Sequence, residues 1–325
     1  MDAEAPASGS LHESSPVASG GSSSGGSGFG RGSVFHRRYQ IVAPIDLGGS
    51  GVVYEARDLN TDRAVALKVM HSSLVTNARL RRRFLAEGKV TAAIDSEHVV
   101  RVTDAGFDGA GVPFVVMELL RGEQLEAHLA RVGRLSPRDV CLLARQAAFA
   151  LEKIHAQGIV HRDFTPRNLF LTRRDDGRPW LKVLDFGASK VISAGSVWSG
   201  LVGSPRYMAP EQIRCGAPAT PGLPPEKIGP ACDLYALAHV VYTLLVGEAY
   251  WERADLPIDA HLDQIAHGTV EPATDRARAA GVILPEAFDP WFSRATAISP
   301  QDRFESGAIM VRALRLALGF GRSIS

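Results

Sequence analysis

The stretch His161-Arg162-Asp163-Phe164-Thr165-Pro166-Arg167-Asn168 sets an aspartate and an asparagine five residues apart, and Asp185-Phe186-Gly187 begins seventeen residues after Asn168. Oxygen ligands from Asn168 and Asp185 suit Mg²⁺, which takes few protein oxygens and leaves places for phosphates. Asp163 is then placed to orient an acceptor hydroxyl and take its proton. Upstream, Lys68 closes the run Val65-Ala66-Leu67-Lys68. A lysine on a buried strand needs an anion, and Glu87 on the following helix is its natural partner. Earlier still, Leu47-Gly48-Gly49-Ser50-Gly51-Val52-Val53 presents small residues whose backbone amides can approach phosphate oxygens, with Val53 placed to cover a purine face. Each piece alone is weak, because glycine-rich hairpins and Lys/Glu pairs are common. Their joint order carries the signal: held phosphates, a held metal and a base are what phosphoryl transfer requires.

Those groups need elements to carry them. Short β-like runs at 39–47, 52–56 and 64–69 are separated by Gly-rich and Asn-Thr-Asp turns. Residues 78–94 place Leu80, Phe84, Glu87, Val90 and Ile94 at helical spacing, and two further strands are expected at 99–106 and 112–118. After Gly122 the pattern turns helical. Ser136-Pro137-Arg138-Asp139 is a start signal, with Ser as N-cap, Pro at the first helical position and an acid facing the dipole. Val140, Leu143, Ala147, Leu151 and Ile154 form one apolar stripe that Gly158 ends. Further helices are expected at 231–246, 286–295 and 305–318. The segment 215–230, with five prolines and three glycines, reads as a loop. The order, a strand-rich lobe and then a helix-rich one, is α+β with a ligand cleft between the lobes.

At 325 residues the chain can form two lobes with cores of their own. Apolar and charged contents of 45% and 22% are those of a globular protein, and a net charge of +1 gives no general pull toward nucleic acid or an anionic membrane. The 3 cysteines, Cys141, Cys215 and Cys232, lack metal-ligand spacing and read as reduced thiols. Residues 1–33, rich in Ser, Gly and Ala, are expected to form a flexible tail. No secretory or myristoylation signal is legible at the N-terminus, and the apolar run 234–246 is too short to span a bilayer, so a cytoplasmic location is expected.

With these residues in view, the chain resembles the eukaryotic-type serine/threonine protein kinase family, particularly its bacterial branch, over about residues 38–320. Further matches are Gly203-Ser204-Pro205-Arg206-Tyr207-Met208-Ala209-Pro210-Glu211, Asp233-Leu234-Tyr235-Ala236-Leu237 and Arg303. The resemblance implies a bilobal fold, with a small antiparallel-sheet lobe carrying one helix at about 38–118 and a mostly helical lobe at about 122–320. It implies ATP with Mg²⁺, or Mn²⁺ in its place, and protein substrates bearing Ser or Thr acceptors, with a transient dimer for autophosphorylation. Nucleotide contacts would come from Leu47, Gly48, Gly49, Ser50, Gly51, Val53, Ala66, Lys68, Glu87, Glu118, Leu120 and Phe170. Metal ligands would be Asn168 and Asp185, and the catalytic group Asp163, Lys68, Asn168 and Arg167. Met117 falls at the gatekeeper position, 118–120 at the hinge, and Phe170 beneath the base. Glu211 should pair with Arg303, and Asp233 should hold the backbone of the His161–Arg162 turn.

Two positions depart from the family pattern. Asp46 stands where the first loop glycine is usual, and a carboxylate there is expected to weaken ATP binding. Thr165 replaces the usual lysine two residues after the catalytic aspartate. Arg167 either takes over its charge or is a solvated surface arginine. Arg162 suggests control by activation-loop phosphorylation, with Ser193, Ser196 and Ser199 as candidates. Two other readings stay open: a pseudokinase scaffold with weak or no turnover, and a small-molecule phosphotransferase. The second would not need the 203–211 segment, which in protein kinases supports an extended peptide. The 215–230 loop is about ten residues longer than usual and has no role legible in sequence.

Overall fold

The computed structural model describes residues 29–185, 205–215, 228–251, 257–269 and 271–321. The first lobe is a six-stranded antiparallel sheet in the order β1-β2-β3-β4-β6-β5. Its strands are β1 (Val34–Phe35), β2 (Tyr39–Leu47), β3 (Gly51–Asp58), β4 (Arg63–Met70), β5 (Val102–Phe107) and β6 (Pro113–Glu118). A short helix α1 (Ser72–Val75) and the longer α2 (Ala78–Ala92) lie between β4 and β5. The Asn77 side chain caps α2 by accepting from the Arg79 and Leu80 amides, and Phe84, Leu85 and Glu87 turn inward. Pro44 sits in β2 beyond the two residues that pair with β1, on an edge where its missing N–H leaves no ladder bond unmade.

Folding begins earlier than composition suggested. Residues 29–33, counted with the tail, are tied to the sheet although largely exposed: the Phe29 amide donates to Tyr54 Oη at 3.1 Å and its ring meets Phe35 edge-on at 5.1 Å. Edge contacts of Phe29 with Phe35 and Tyr54 give this glycine-rich stretch an attachment its composition alone does not advertise. The rest of the expected tail, 1–28, lies outside the described residues. The strand expected from Val99 begins instead at Val102, because Val99 forms a parallel bridge with Val183 of the second lobe and Val100 donates to the Val183 carbonyl at 3.0 Å.

The second lobe opens with a three-stranded sheet of β7 (Glu123–Gln124), β8 (Leu169–Arg173) and β9 (Pro179–Val183), with α3 (Leu125–Val132) and α4 (Pro137–His155) between the first two strands. α4 starts as its sequence dictates: Ser136 Oγ accepts from the Asp139 amide, and all five stripe residues are buried. Beyond it come α5 (Pro210–Arg214), α6 (Ala231–Val246), α7 (Ile258–His267), α8 (Ala273–Ala279), α9 (Phe288–Ala295) and α10 (Gly307–Ala317). α6 is buried from Cys232 through Val246, so it forms the spine of the lobe, with α4, α9 and α10 packed around one continuous core. No described helix is long and apolar enough to cross a membrane.

Candidate active site

Antiparallel pairing places Lys68 opposite Val53 of β3 and Val115 of β6, in the middle of the sheet. The residue is 7% exposed. Its Nζ bonds Asp185 Oδ2 at 2.8 Å and Glu87 Oε1 at 3.4 Å, so one ammonium joins β4, α2 and the segment after β9. Burial alone would discharge the lysine, but the Asp185 and Glu87 carboxylates outweigh it and raise its pKa. Glu87 is itself pushed up to about 7 by burial, with Lys68 opposing. Asp185 also feels desolvation, yet the adjacent ammonium holds it below the ordinary carboxylate range.

The catalytic-loop candidates are fixed by a second set of bonds. Asn168 Nδ2 donates to Asp163 Oδ2 at 2.7 Å and to the Asp163 carbonyl at 2.8 Å, across the 3-10 turn Pro166–Asn168. With the amide nitrogen used in this way, the carboxamide oxygen is the end left as an acceptor. Arg162 has φ of +66°, a left-handed conformation unfavourable for a residue that carries a Cβ. Asp233 of α6 holds it there: its carboxylate accepts from the His161 amide at 2.9 Å and the Arg162 amide at 2.8 Å. His155 Nε2 braces the same carboxylate at 2.8 Å. From α5, Gln212 donates to the Arg162 carbonyl at 2.8 Å and accepts from the Ala209 amide at 3.0 Å. Sequence reasoning missed Gln212 and His155. Nothing in their types marks them, since each acts only through folding.

Glu211 and Arg303 meet in a bidentate pair at 2.7 Å per arm, both side chains at most 1% exposed. At the linker, the Glu118 carboxylate accepts from Lys182 at 2.6 Å and from the Arg101 amide at 2.8 Å, another tie that no motif announced. The Leu120 amide makes no hydrogen bond among the described residues. Gly122 has φ of +148°, and a side chain there would run into the Leu171 carbonyl, so the linker turn requires glycine. Of the expected base contacts, Ala66 is buried opposite Met117, Val53 is half-buried and Leu47 is 71% exposed. Phe170 is half-buried on β8, paired with Gln124 of β7. A small pocket, open to solvent and with room for about 20 Å³, is lined by Lys68, Glu87, Thr91, Val115, Met117 and Asp185.

Arg167 is exposed on the 3-10 turn and makes no hydrogen bond or ion pair among the described residues. Phe186, Gly187, the candidate serines Ser193, Ser196 and Ser199, and Gly203–Ser204 lie outside the described residues, as does most of the 215–230 loop.

A lysine tied to a helix glutamate and a loop aspartate, beside an Asp/Asn turn anchored from a buried helix, is the arrangement of a protein kinase. The protein kinase domain model matches residues 39–289, and the chain belongs to that family. It is 34% identical over 275 residues to the serine/threonine-protein kinase PknL of Mycobacterium tuberculosis, covering 84% of this chain and 64% of PknL. To Pkn1 of Myxococcus xanthus it is 34% identical over 283 residues, 86% of this chain and 38% of that protein. The chain thus spans under two thirds of the length of these relatives. The crystal structure of the M. tuberculosis PknI kinase domain superposes with a TM-score of 0.66 at 25% identity, covering 90% of this chain and all of that one. The bilobal α+β fold expected from sequence is the observed one.

Proposed function

We propose that this chain transfers the γ-phosphoryl group of ATP to serine or threonine hydroxyls of protein substrates. The observation that supports this most is the convergence of Lys68, Glu87 and Asp185 into one bonded set, with Asp163 and Asn168 locked to each other on the adjoining turn. Lys68 binds phosphate oxygens, and Glu87 keeps its ammonium aimed. The donor set fits a hard divalent cation: a half-exposed Asp185 carboxylate and the Asn168 carboxamide oxygen, with the rest of a six-oxygen shell left to phosphates and water. When bound, Mg²⁺, or Mn²⁺ in its place, neutralises charge on the phosphates. Asp163, oriented by the Asn168 amide at 2.7 Å, accepts the proton of an incoming hydroxyl. The Leu47–Gly51 loop, Val53, Ala66, the backbone at Glu118 and Leu120, and Phe170 enclose the nucleotide.

Arg167 supplies the positive charge that Thr165 lacks, from an exposed position on the turn between Asp163 and Asn168. Activation-loop phosphorylation, through a transient dimer, controls turnover in this reading, and the enzyme acts in the cytoplasm. The test is phosphoamino-acid analysis of a generic protein acceptor and of the enzyme itself after incubation with labelled MgATP. Phosphoserine and phosphothreonine are expected. Phosphotyrosine as the main product would refute the specificity, and nucleotide binding without transfer would identify a scaffold. Arg167→Ala should slow turnover far more than Ala at an exposed arginine such as Arg178, and an equal effect would end its assigned role.

A further inference from the structure

The loop between β2 and β3 is held at both ends by side chains that contact with a nucleotide does not require. On the β4 side, His71 Nε2 lies 2.9 Å from the Gly48 carbonyl, and the His71 amide donates to the Ser50 carbonyl at 3.2 Å. A carbonyl only accepts, so Nε2 carries the proton. On the β2 side, Asp46 Oδ1 accepts from the Leu47 amide at 2.9 Å, and its Oδ2 accepts from Gln124 Nε2 at 3.4 Å. Gln124 belongs to the second lobe, so this bond crosses the mouth of the cleft. It occupies the N-cap position of α3 yet its side chain caps nothing there. Beside it, Arg121 of the linker bonds Glu55 of β3 at 2.8 Å.

These contacts, with the Gly48 amide donating to the Gly51 carbonyl at 3.0 Å, engage the limbs of the loop and leave two N–H groups at its tip. The Gly48 and Ser50 carbonyls are taken by His71, whereas the Gly49 and Ser50 amides make no hydrogen bond among the described residues. A loop tip with anchored carbonyls and two unengaged amides presents a partly positive surface, which is what an anionic oxygen needs. We infer that His71 and Asp46 are positioning residues: together they fix the phosphate loop with the Gly49 and Ser50 amides presented at its tip and tie its first limb to the second lobe. The inference rests on the nucleotide reading above. It also reverses the sign assigned to Asp46 from sequence. A carboxylate engaged by Leu47 and Gln124 is a tether, and its loss loosens the loop instead of relieving repulsion.

The experiment compares binding of the Mg²⁺ complex of a non-hydrolysable ATP analogue with binding of adenosine. Adenosine has no phosphates and so does not sense the loop amides. His71→Ala is expected to weaken the triphosphate about fivefold, the loss of one ordinary hydrogen bond, with adenosine unchanged. His71→Gln, which keeps a donor, should restore most of the affinity. Asp46→Gly should weaken the triphosphate about twofold to threefold, while Asp46→Asn, which keeps an acceptor oxygen, stays near wild type. Three results overturn the inference: unchanged triphosphate affinity in His71→Ala, an equal loss for adenosine, or tighter triphosphate binding in both Asp46 variants. Wild-type protein that binds neither ligand would instead refute the nucleotide reading itself.

Discussion

Replacing His239 by leucine should flatten the acid side of the stability curve. His239 lies in the middle of α6 at 1% exposure, and neither ring nitrogen has a hydrogen-bond partner among the described residues. The rings of Tyr235, Tyr250 and Phe292 surround it with centroids 4.6, 5.7 and 5.3 Å away. Burial, reinforced by Arg303 and Arg276, lowers its pKa from 6.5 to about 3. The native state therefore keeps the ring neutral where the unfolded chain protonates it. Below pH 6.5 the unfolded state holds the extra proton, so stability is lost as pH falls and is present in full above that value. Integrating the proton difference between pH 7 and pH 5 gives about 2 kcal/mol. Urea unfolding at both pH values, read at constant slope, should show wild type losing about 2 kcal/mol more than His239→Leu over this interval. His98, also shifted down by burial, is common to both proteins and cancels in the difference. Parallel losses in the two proteins would refute the reasoning, because they would mean His239 titrates alike in both states.

Other expectations follow from single contacts. Arg303→Met leaves Glu211 as a buried unpaired charge and should cost about 3–5 kcal/mol in urea unfolding, with Glu211→Leu added on top recovering part of the loss. Asp233→Ala should lower turnover at least tenfold by releasing the left-handed Arg162 turn, with a smaller change in nucleotide affinity; steady-state kinetics separates the two. Burial pushes Glu87 up to about 7, so wild-type kcat/KM should rise as pH increases through neutrality and its pairing with Lys68 strengthens, and that rise should be absent from Glu87→Gln. Gly122→Ala should destabilise by about 2 kcal/mol or more in thermal or urea unfolding, since the φ of +148° and the Leu171 carbonyl both exclude a side chain.

What sequence could reveal divides along physical lines. Lys68, Glu87, Asp163, Asn168 and Asp185 were legible as candidates because phosphoryl transfer restricts both residue type and order, and the structure joins Lys68 to Glu87 and Asp185, and Asn168 to Asp163. α4 was legible because its cap and apolar stripe are local. The β1–β2 connection was not: His36 and Arg37 take the left-handed conformation, at φ of 48° and 55°, without glycine or asparagine to signal it, and Arg38 secures the corner on Asp58 at 2.8 Å. α3, α7 and α8 were missed because they are short or weakly striped and gain their stability from packing. Gln212, His155 and His71 were invisible for a related reason. Their bonds join segments tens of residues apart, or a strand end to a loop, and only the folded chain pairs them. Asp46 was read as a lone charge because its partner, Gln124, lies in the other lobe.

The central claim is that Asp163 and Lys68 act on one bound triphosphate, and initial rates of label transfer from γ-labelled MgATP to a generic protein acceptor test it most directly. Wild type should turn over, while Asp163→Asn and Lys68→Met each lose at least a hundredfold in rate with their melting temperatures retained. Transfer at wild-type rate by either variant would contradict the account.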